Sequence, residues 1–393
     1  MIRRVHRFRS SSLPARMPRR SALPVAVVIA LVLSLVPVVA AAHERWFTPE
    51  GPYSAPVWSD LVSWPVLLAL LSGAGAVALL RGIQRLVDDP LWPRPPFFQR
   101  MELAAPAILG VQTAIAIIFA ASRLDLFAPN IDLPRNVLGV VIAAIATVAA
   151  FSFITGVLTR WGAIIVIGLF ILSFSITPWY EAMEQFLIVG IALFLVATGR
   201  GVVRMDDEAE EDRSALTERL RPHALTILRV SAGISVLVLG FTEKLLAVEL
   251  GEAFLREYPR FNFMRELGVE WFTDRRFIYA AGIVEATAGF ALLSGYLTRV
   301  TILALWIPFN LGIAFLPPQE LIGHLPILST MYVLMVRGGE GIPAPAAARA
   351  AARAAVRPAA PAAAPTMARP APTANRPLAG VGMDGAARDA HRV

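Results

Sequence analysis

Long apolar blocks alternate with short polar connections along this chain. A first apolar run spans Pro24 to Val36. Nine more follow, at approximately 61–80, 103–121, 136–156, 161–177, 184–199, 223–242, 277–296, 299–316 and 321–336. Most approach the length that crosses a hydrocarbon core of roughly 30 Å at about 1.5 Å per residue. Apolar residues arranged in blocks of this size, rather than in one-sided stripes, predict an all-α polytopic membrane protein.

The polar connections set the expected orientation. Arg3, Arg4, Arg7, Arg9, Arg16, Arg19 and Arg20 precede the first run, with no acid among residues 1–20, and Ala40-Ala41-Ala42 follows it. A basic start, a short apolar run and a small-residue site predict a signal peptide over 1–42, with an uncleaved first transmembrane helix as the alternative. With the N-terminus inside, the inner connections hold Arg81, Arg85, Arg94, Arg100, Arg160, Arg200, Arg204, Arg299 and Arg337. This positive-inside asymmetry predicts a multi-pass protein of the bacterial inner (plasma) membrane with its C-terminus in the cytoplasm.

Composition narrows the picture. Hydrophobic residues make up 56% of the chain and charged residues 17%, too few to clothe a soluble domain of 393 residues. The net charge of +7 follows from the inner-side arginines, so no nucleic-acid partner is implied. Cysteine is absent, which excludes disulfides, thiolate metal sites, iron–sulfur clusters and covalent c-type haem. No cofactor is bound covalently through cysteine, and a redox role would need a diffusible or borrowed one.

An internal repeat organises the middle of the chain. Gly156-Val157-Leu158-Thr159-Arg160 matches Gly295-Tyr296-Leu297-Thr298-Arg299, and in that register Pro178 meets Pro317, Glu181 meets Glu320 and Gln185 meets His324. In this element Gly ends one helix, Thr is expected to cap the next and Arg sits at the inner interface. Two tandem four-helix bundles are predicted, 103–199 and 223–340, whose last apolar block ends at 336. Residues 43–102 supply a periplasmic segment, one extra helix and a cytoplasmic loop. Residues 200–222 form an acidic linker. Residues 341–393, rich in Ala, Pro and Arg, form a disordered cytoplasmic tail. The outer connection from Glu243 to Arg276, with Tyr258, Phe261, Trp271 and Phe272, is expected to hold a short interfacial helix.

The second copy resembles the DoxX family of four-helix membrane proteins. The matching residues are Leu228-Arg229 with Gly233, Gly240-Phe241-Thr242-Glu243-Lys244-Leu245, Gly282-Ile283-Val284-Glu285, and Gly289, Leu292, Gly295 and Leu297-Thr298-Arg299. The resemblance covers about 110 residues well, and the first copy matches mainly at its helical hairpin. It implies an accessory subunit of a membrane redox system, with quinone as the implied cofactor and a membrane or periplasmic redox enzyme as the implied partner beside the lipid bilayer.

Polar residues inside the apolar blocks are the candidate site. Arg229, Glu285 and Asn310 are placed to form an intramembrane cluster, because an isolated charge there costs at least roughly 2.5–3.5 kcal/mol. A polar lock holding the bundle together accounts for them as well as a proton- or ligand-handling role does. Glu243, Lys244, Glu320 and His324 are expected at the outer mouth, where Lys244, the only lysine, reads either as a snorkelling residue or as a substrate-facing cation. The first copy has Gly110, Asp125 and Ala146 where the second has Arg229, Lys244 and Glu285, so it is read as a degenerate structural half. His43 is a weak copper candidate if it becomes the mature N-terminus, but the His43-Glu44-Arg45-Trp46-Phe47 stretch reads more simply as an aromatic interfacial anchor. No complete catalytic set is legible. A non-catalytic assembly or scaffolding factor and a small-solute or proton pathway stand as alternatives to the redox subunit. A broken helix near Pro308 and Asn310 would favour the pathway, and absence of any cavity around Glu285 would favour the scaffold.

The arginine asymmetry is directly testable. A cysteine placed at Ala359 should resist a membrane-impermeant thiol reagent in intact spheroplasts and react only after lysis. Labelling in intact spheroplasts would reverse the topology.

Overall fold

The computed structural model describes residues 44–48, 55–86, 96–200, 215–313 and 318–338. The expected signal peptide, His43, the acidic run at 206–212 and the tail after 341 lie outside these residues, as do the side chains of Asn310 and Glu320.

Every one of the nine apolar blocks after the first is a helix. A short helix α1 (Glu44–Phe47) precedes α2 (Trp64–Leu86). Then come α3 (Pro96–Ser122), α4 (Val137–Thr155), α5 (Thr159–Ser173), α6 (Trp179–Glu184) and α7 (Phe186–Thr198). After α8 (Ala215–Leu220), helix α9 (Ala224–Leu239) runs into a π-helical turn at Gly240–Leu245. The chain continues through α10 (Val248–Glu257), α11 (Phe263–Glu266), α12 (Asp274–Ser294), α13 (Thr298–Ile313) and α14 (Pro318–Arg337). Among the described residues, five helical stretches are long and apolar enough to cross a membrane: Trp64–Leu86, Ala104–Ser122, Val137–Thr155, Arg221–Leu245 and Asp274–Ser294. The protein is an all-α polytopic membrane protein.

The helices form two rings. In the first, α3 packs on α4, α4 on α5, α5 on α7 and α7 back on α3. In the second, α9 packs on α12, α12 on α13, α13 on α14 and α14 back on α9. The rings meet through α3 against α14 and α7 against α9, the first helix of each against the last of the other. Such reciprocal pairing is what a twofold relation between two copies produces. Helix α2 lies outside both rings, against α12. Its Leu67, Leu68, Leu70, Leu71 and Leu79 are exposed, as are Val140, Val141, Ile145 and Val148 of α4, as suits surfaces that face lipid. Helix α7 is instead buried from Leu187 to Ala192 and again from Phe194 to Ala197, at the seam between the rings.

The repeated hairpin has one geometry in both copies. Gly156 and Gly295 take left-handed backbones (φ 85° and 71°), and so do Leu158 and Leu297 (φ 52° and 46°). Arg160 donates to the Val196 carbonyl at 3.1 Å, and Arg299 to the Met335 carbonyl at 2.8 Å, each thirty-six residues on. Each arginine thereby occupies orphan carbonyls at the end of its ring's last helix. The expected threonine cap is corrected. The hydroxyls of Thr159 and Thr298 donate backwards to the Ser152 and Gly295 carbonyls, and the left-handed leucine stands at the cap position. A tight left-handed turn leaves the threonine already inside the next helix.

The Glu243–Arg276 connection folds over the end of the bundle. As expected, it carries a helix with one apolar face, α10, whose Phe254 and Leu255 are buried with Phe261, Phe277 and Ile278. Phe47 joins this cluster, edge-on to Tyr258 with centroids 6.1 Å apart.

The seam between α7 and α9 is close enough to test. A Cβ on Gly190 would lie 2.3 Å from the Ser231 Cβ. Gly190→Ala should therefore destabilise the fold by about 1–3 kcal/mol. Ser231→Gly in the same chain should restore most of the loss, measured by thermal unfolding in detergent.

Candidate functional site

The site lies where four pieces of chain, far apart in sequence, bring charged side chains into one buried volume. The π turn is the first determinant. One extra residue per turn reorients the end of α9 and aims Glu243 and Lys244 into the protein, where they are 0% and 1% exposed. Glu285 comes from α12, Glu181 and Glu184 from α6, and Glu44 and Arg45 from α1. All of them are buried.

Two cations bind the cluster together. The Lys244 Nζ lies 3.3 Å from Glu285 Oε2, 3.7 Å from Glu44 Oε1 and 3.8 Å from Glu243 Oε2. The Arg45 guanidinium lies 3.4 Å from Glu184 Oε1, 3.7 Å from Glu181 Oε1 and 3.9 Å from Glu243 Oε1. It also donates to the Thr242 carbonyl at 3.2 Å and sits 5.4 Å from the centre of the Tyr180 ring. Glu243 bridges the two halves of the network and accepts from the Glu44 backbone N–H at 3.1 Å. The Thr242 hydroxyl donates to Glu184 Oε1 at 2.8 Å, and the Thr177 hydroxyl to Glu181 Oε2 at 2.6 Å.

Five carboxyl groups here face two cations among the described residues. Were every acid ionised, three negative charges would stand uncompensated in a buried volume, which is far too costly in a low-dielectric setting. Glu44, at the bundle end, shows the response. Burial raises its carboxyl from the ordinary 4.5 to about 8, with Lys244 acting in the opposite direction and Glu243 and Glu285 reinforcing the rise. For Arg45 burial acts to lower the pKa, but Glu184, Glu243 and Glu181 outweigh it and hold the guanidinium charged. Among the described residues no group of three His, Asp or Glu side chains is spaced to hold a metal ion.

A cavity of about 50 Å³ opens beside the cluster, lined by Glu184, Gln185, Ser235 and Glu285 together with Trp46, Phe127 and Gly323. Among the described residues, the buried Glu184 Oε2 and Glu285 Oε1 accept no hydrogen bond and the buried Gln185 Nε2 donates none. The rest of the wall is mainly apolar, so these few polar atoms are its hydrophilic points.

The expected residues are only partly brought together. Glu285 pairs with Lys244 and not with Arg229. Arg229 instead donates to the carbonyls of Leu292 and, at 2.9 Å, Leu293, at the last turn of α12. Those carbonyls lie about two helical turns, roughly 10 Å, from Glu285, so Arg229 holds a helix end. Lys244 and Glu243 are enclosed rather than displayed at an open mouth. His324 is buried at 2% exposure on α14, one residue from the cavity-lining Gly323.

Glu44, Arg45, Glu181 and Glu184 were missed. Glu44 and Arg45 were read as part of an interfacial aromatic anchor, yet Trp46 enters the bundle and its ring lies against the backbone of Gly323. The first ring, read as merely structural, contributes Glu181 and Glu184. The available signal was their three-residue spacing, which puts both acids on one face of α6 ahead of a wholly apolar helix.

No protein-family profile, curated protein or solved structure matches the chain, so the DoxX resemblance rests on the sequence elements themselves.

The raised Glu44 carboxyl predicts a pH dependence. Between about 4.5 and 8 the folded state binds more protons at Glu44 than the unfolded state. Stability should therefore fall as pH rises through that window and level off above it. Glu44→Gln should flatten the fall when unfolding midpoints are measured across the window.

Proposed function

We propose that this chain is a DoxX-like protein of the bacterial inner membrane that takes up and releases protons at its buried carboxylate cluster, in the service of a membrane redox system. The observation that carries the reading is the excess of acid. Glu44, Glu181, Glu184, Glu243 and Glu285 share Arg45 and Lys244 beside a cavity of about 50 Å³. Carboxyl groups crowded about too few cations are suited to holding protons in common.

The cavity beside Glu184 and Glu285 favours a proton-handling role over a pure scaffold, since a lock between helices needs no open space at its carboxylates. The π turn points the same way, because π-helical segments are frequent at functional sites. The redox side of the reading comes from the resemblance. Quinones exchange electrons together with protons, so a proton store in the membrane suits a quinone-linked partner enzyme. Quinone is the proposed diffusible carrier, and the arginine asymmetry supports a cytoplasmic C-terminus.

Infrared titration of the purified protein tests the proton store. A protonated carboxyl band should persist at neutral pH, where exposed carboxylates are ionised. Glu285→Gln should remove part of that band and change the titration of the remainder, with the helical fold and membrane insertion retained. Absence of any protonated carboxyl at neutral pH would sink the reading. An unchanged band in Glu285→Gln would reduce Glu285 to a structural partner of Lys244.

A further inference from the structure

A second, larger cavity of about 340 Å³ lies next to the first, lined by Ala116, Phe119, Arg123, Asp125, Pro129 and Tyr258 among others. Three residues line both cavities: Trp46, Phe127 and Gly323. They form the partition between the charged inner space and the outer one.

The partition is built unusually. Phe127 holds a left-handed backbone (φ 69°), a conformation a bulky side chain rarely adopts without a compensating constraint. The Trp46 ring rests directly on the backbone of Gly323, where an added Cβ would come within 1.9 Å of Cζ3. Only glycine leaves room for that seat. Trp46 itself belongs to the short helix α1, whose neighbours Glu44 and Arg45 are tied into the cluster. With Glu44 and Arg45 tied down, the Trp46 ring is left to turn about its own side-chain bonds.

The outer cavity has the groups a proton path needs. Arg123 and Asp125 line it, and Asp125 stands beyond the membrane-spanning part of α3. Burial first, and Asp132 second, raise the Asp125 carboxyl to about 7, with Arg123 and Arg135 acting in the opposite direction. It therefore exchanges protons near neutrality.

The geometry points to the outer cavity as the vestibule through which the carboxylate cluster exchanges protons with bulk water, with the Trp46 ring as the gate between them. The proposal rests on the reading of the cluster as a proton store. A proton entering from the vestibule meets the inner cavity at Glu285 and Glu184, both on its wall. From Glu285 the ion pairs continue through Lys244 to Glu44 and Glu243, and from Glu184 through Arg45 to Glu181.

Hydrogen–deuterium exchange of the protonated carboxyl band, followed by infrared spectroscopy on the full chain in lipid vesicles, tests the gate. Trp46→Ala removes the ring, and Gly323→Ala keeps the ring but takes its seat away. Both should speed exchange about tenfold or more, as expected when the opening that limits exchange is made easier. Trp46→Phe replaces Trp46→Ala if the latter fails to fold, and the smaller ring should also speed exchange. Phe153→Ala, a cavity in the first ring away from both spaces, should leave the rate within about twofold of wild type. A wild-type rate in either gate variant overturns the proposal, as does equal acceleration by Phe153→Ala. If the wild-type protein has no protonated carboxyl band, the proton store fails and the gate fails with it. A band present but exchanging at an unchanged rate in the variants overturns the gate alone.

Discussion

An apolar interior cannot hold unbalanced charge, and the arrangement of this protein follows from how it meets that constraint. Lys244 answers Glu285, Glu44 and Glu243; Arg45 answers Glu184, Glu181 and Glu243. Neither cation suffices for its three acids. Among the described residues the cluster carries more acid than cation, and the small cavity lies beside Glu184 and Glu285. A set of ion pairs that closed on itself would read as a lock. A set with fewer cations than acids among the described residues suits the proton-handling role proposed above.

The architecture supplies this set by crossing symmetry with asymmetry. The two rings repeat one helical hairpin, down to the left-handed leucine and the arginine on the closing helix. They pair reciprocally through their first and last helices. The charged site, however, sits where the copies differ. The second ring brings the π turn and Glu285, and the first brings the acids of α6. The seam helix α7 begins directly after Glu184, so the packing that joins the rings also fixes the depth of that carboxylate.

How much of this was legible beforehand varies with the kind of signal. The helices were readable because lipid demands long apolar runs, and all nine blocks after the first became helices. The hairpin repeat was readable because its residues are local in sequence, although the threonine's role was misjudged for want of the left-handed leucine. Glu285 and Lys244 are singled out by type and depth, and of the two partners open to Glu285, Arg229 and Lys244, the structure pairs it with Lys244. The π turn in which Lys244 is buried is not marked by the apolar pattern of the block that runs into it. Arg229 was drawn to the wrong acid, since the sequence does not display the orphan carbonyls of Leu292 and Leu293. Glu44 and Arg45 were obscured by their setting. Nothing local marks a short segment before the first long helix as one that returns to the centre of the bundle.

That return has a consequence for biogenesis. Glu44 meets Glu243 across 199 residues of chain, so the earliest described part of the protein is joined to a turn made much later. While α6 and α7 enter the bilayer, Glu181 and Glu184 can already find Arg45, but Glu44 still waits for Lys244. The second ring then arrives carrying its own cation one residue from its own acid. Each half can therefore be inserted with its charges locally tended, and the shared network closes only on docking. Such late closure makes the union of the two rings, rather than the formation of either, the step at which the buried network is completed.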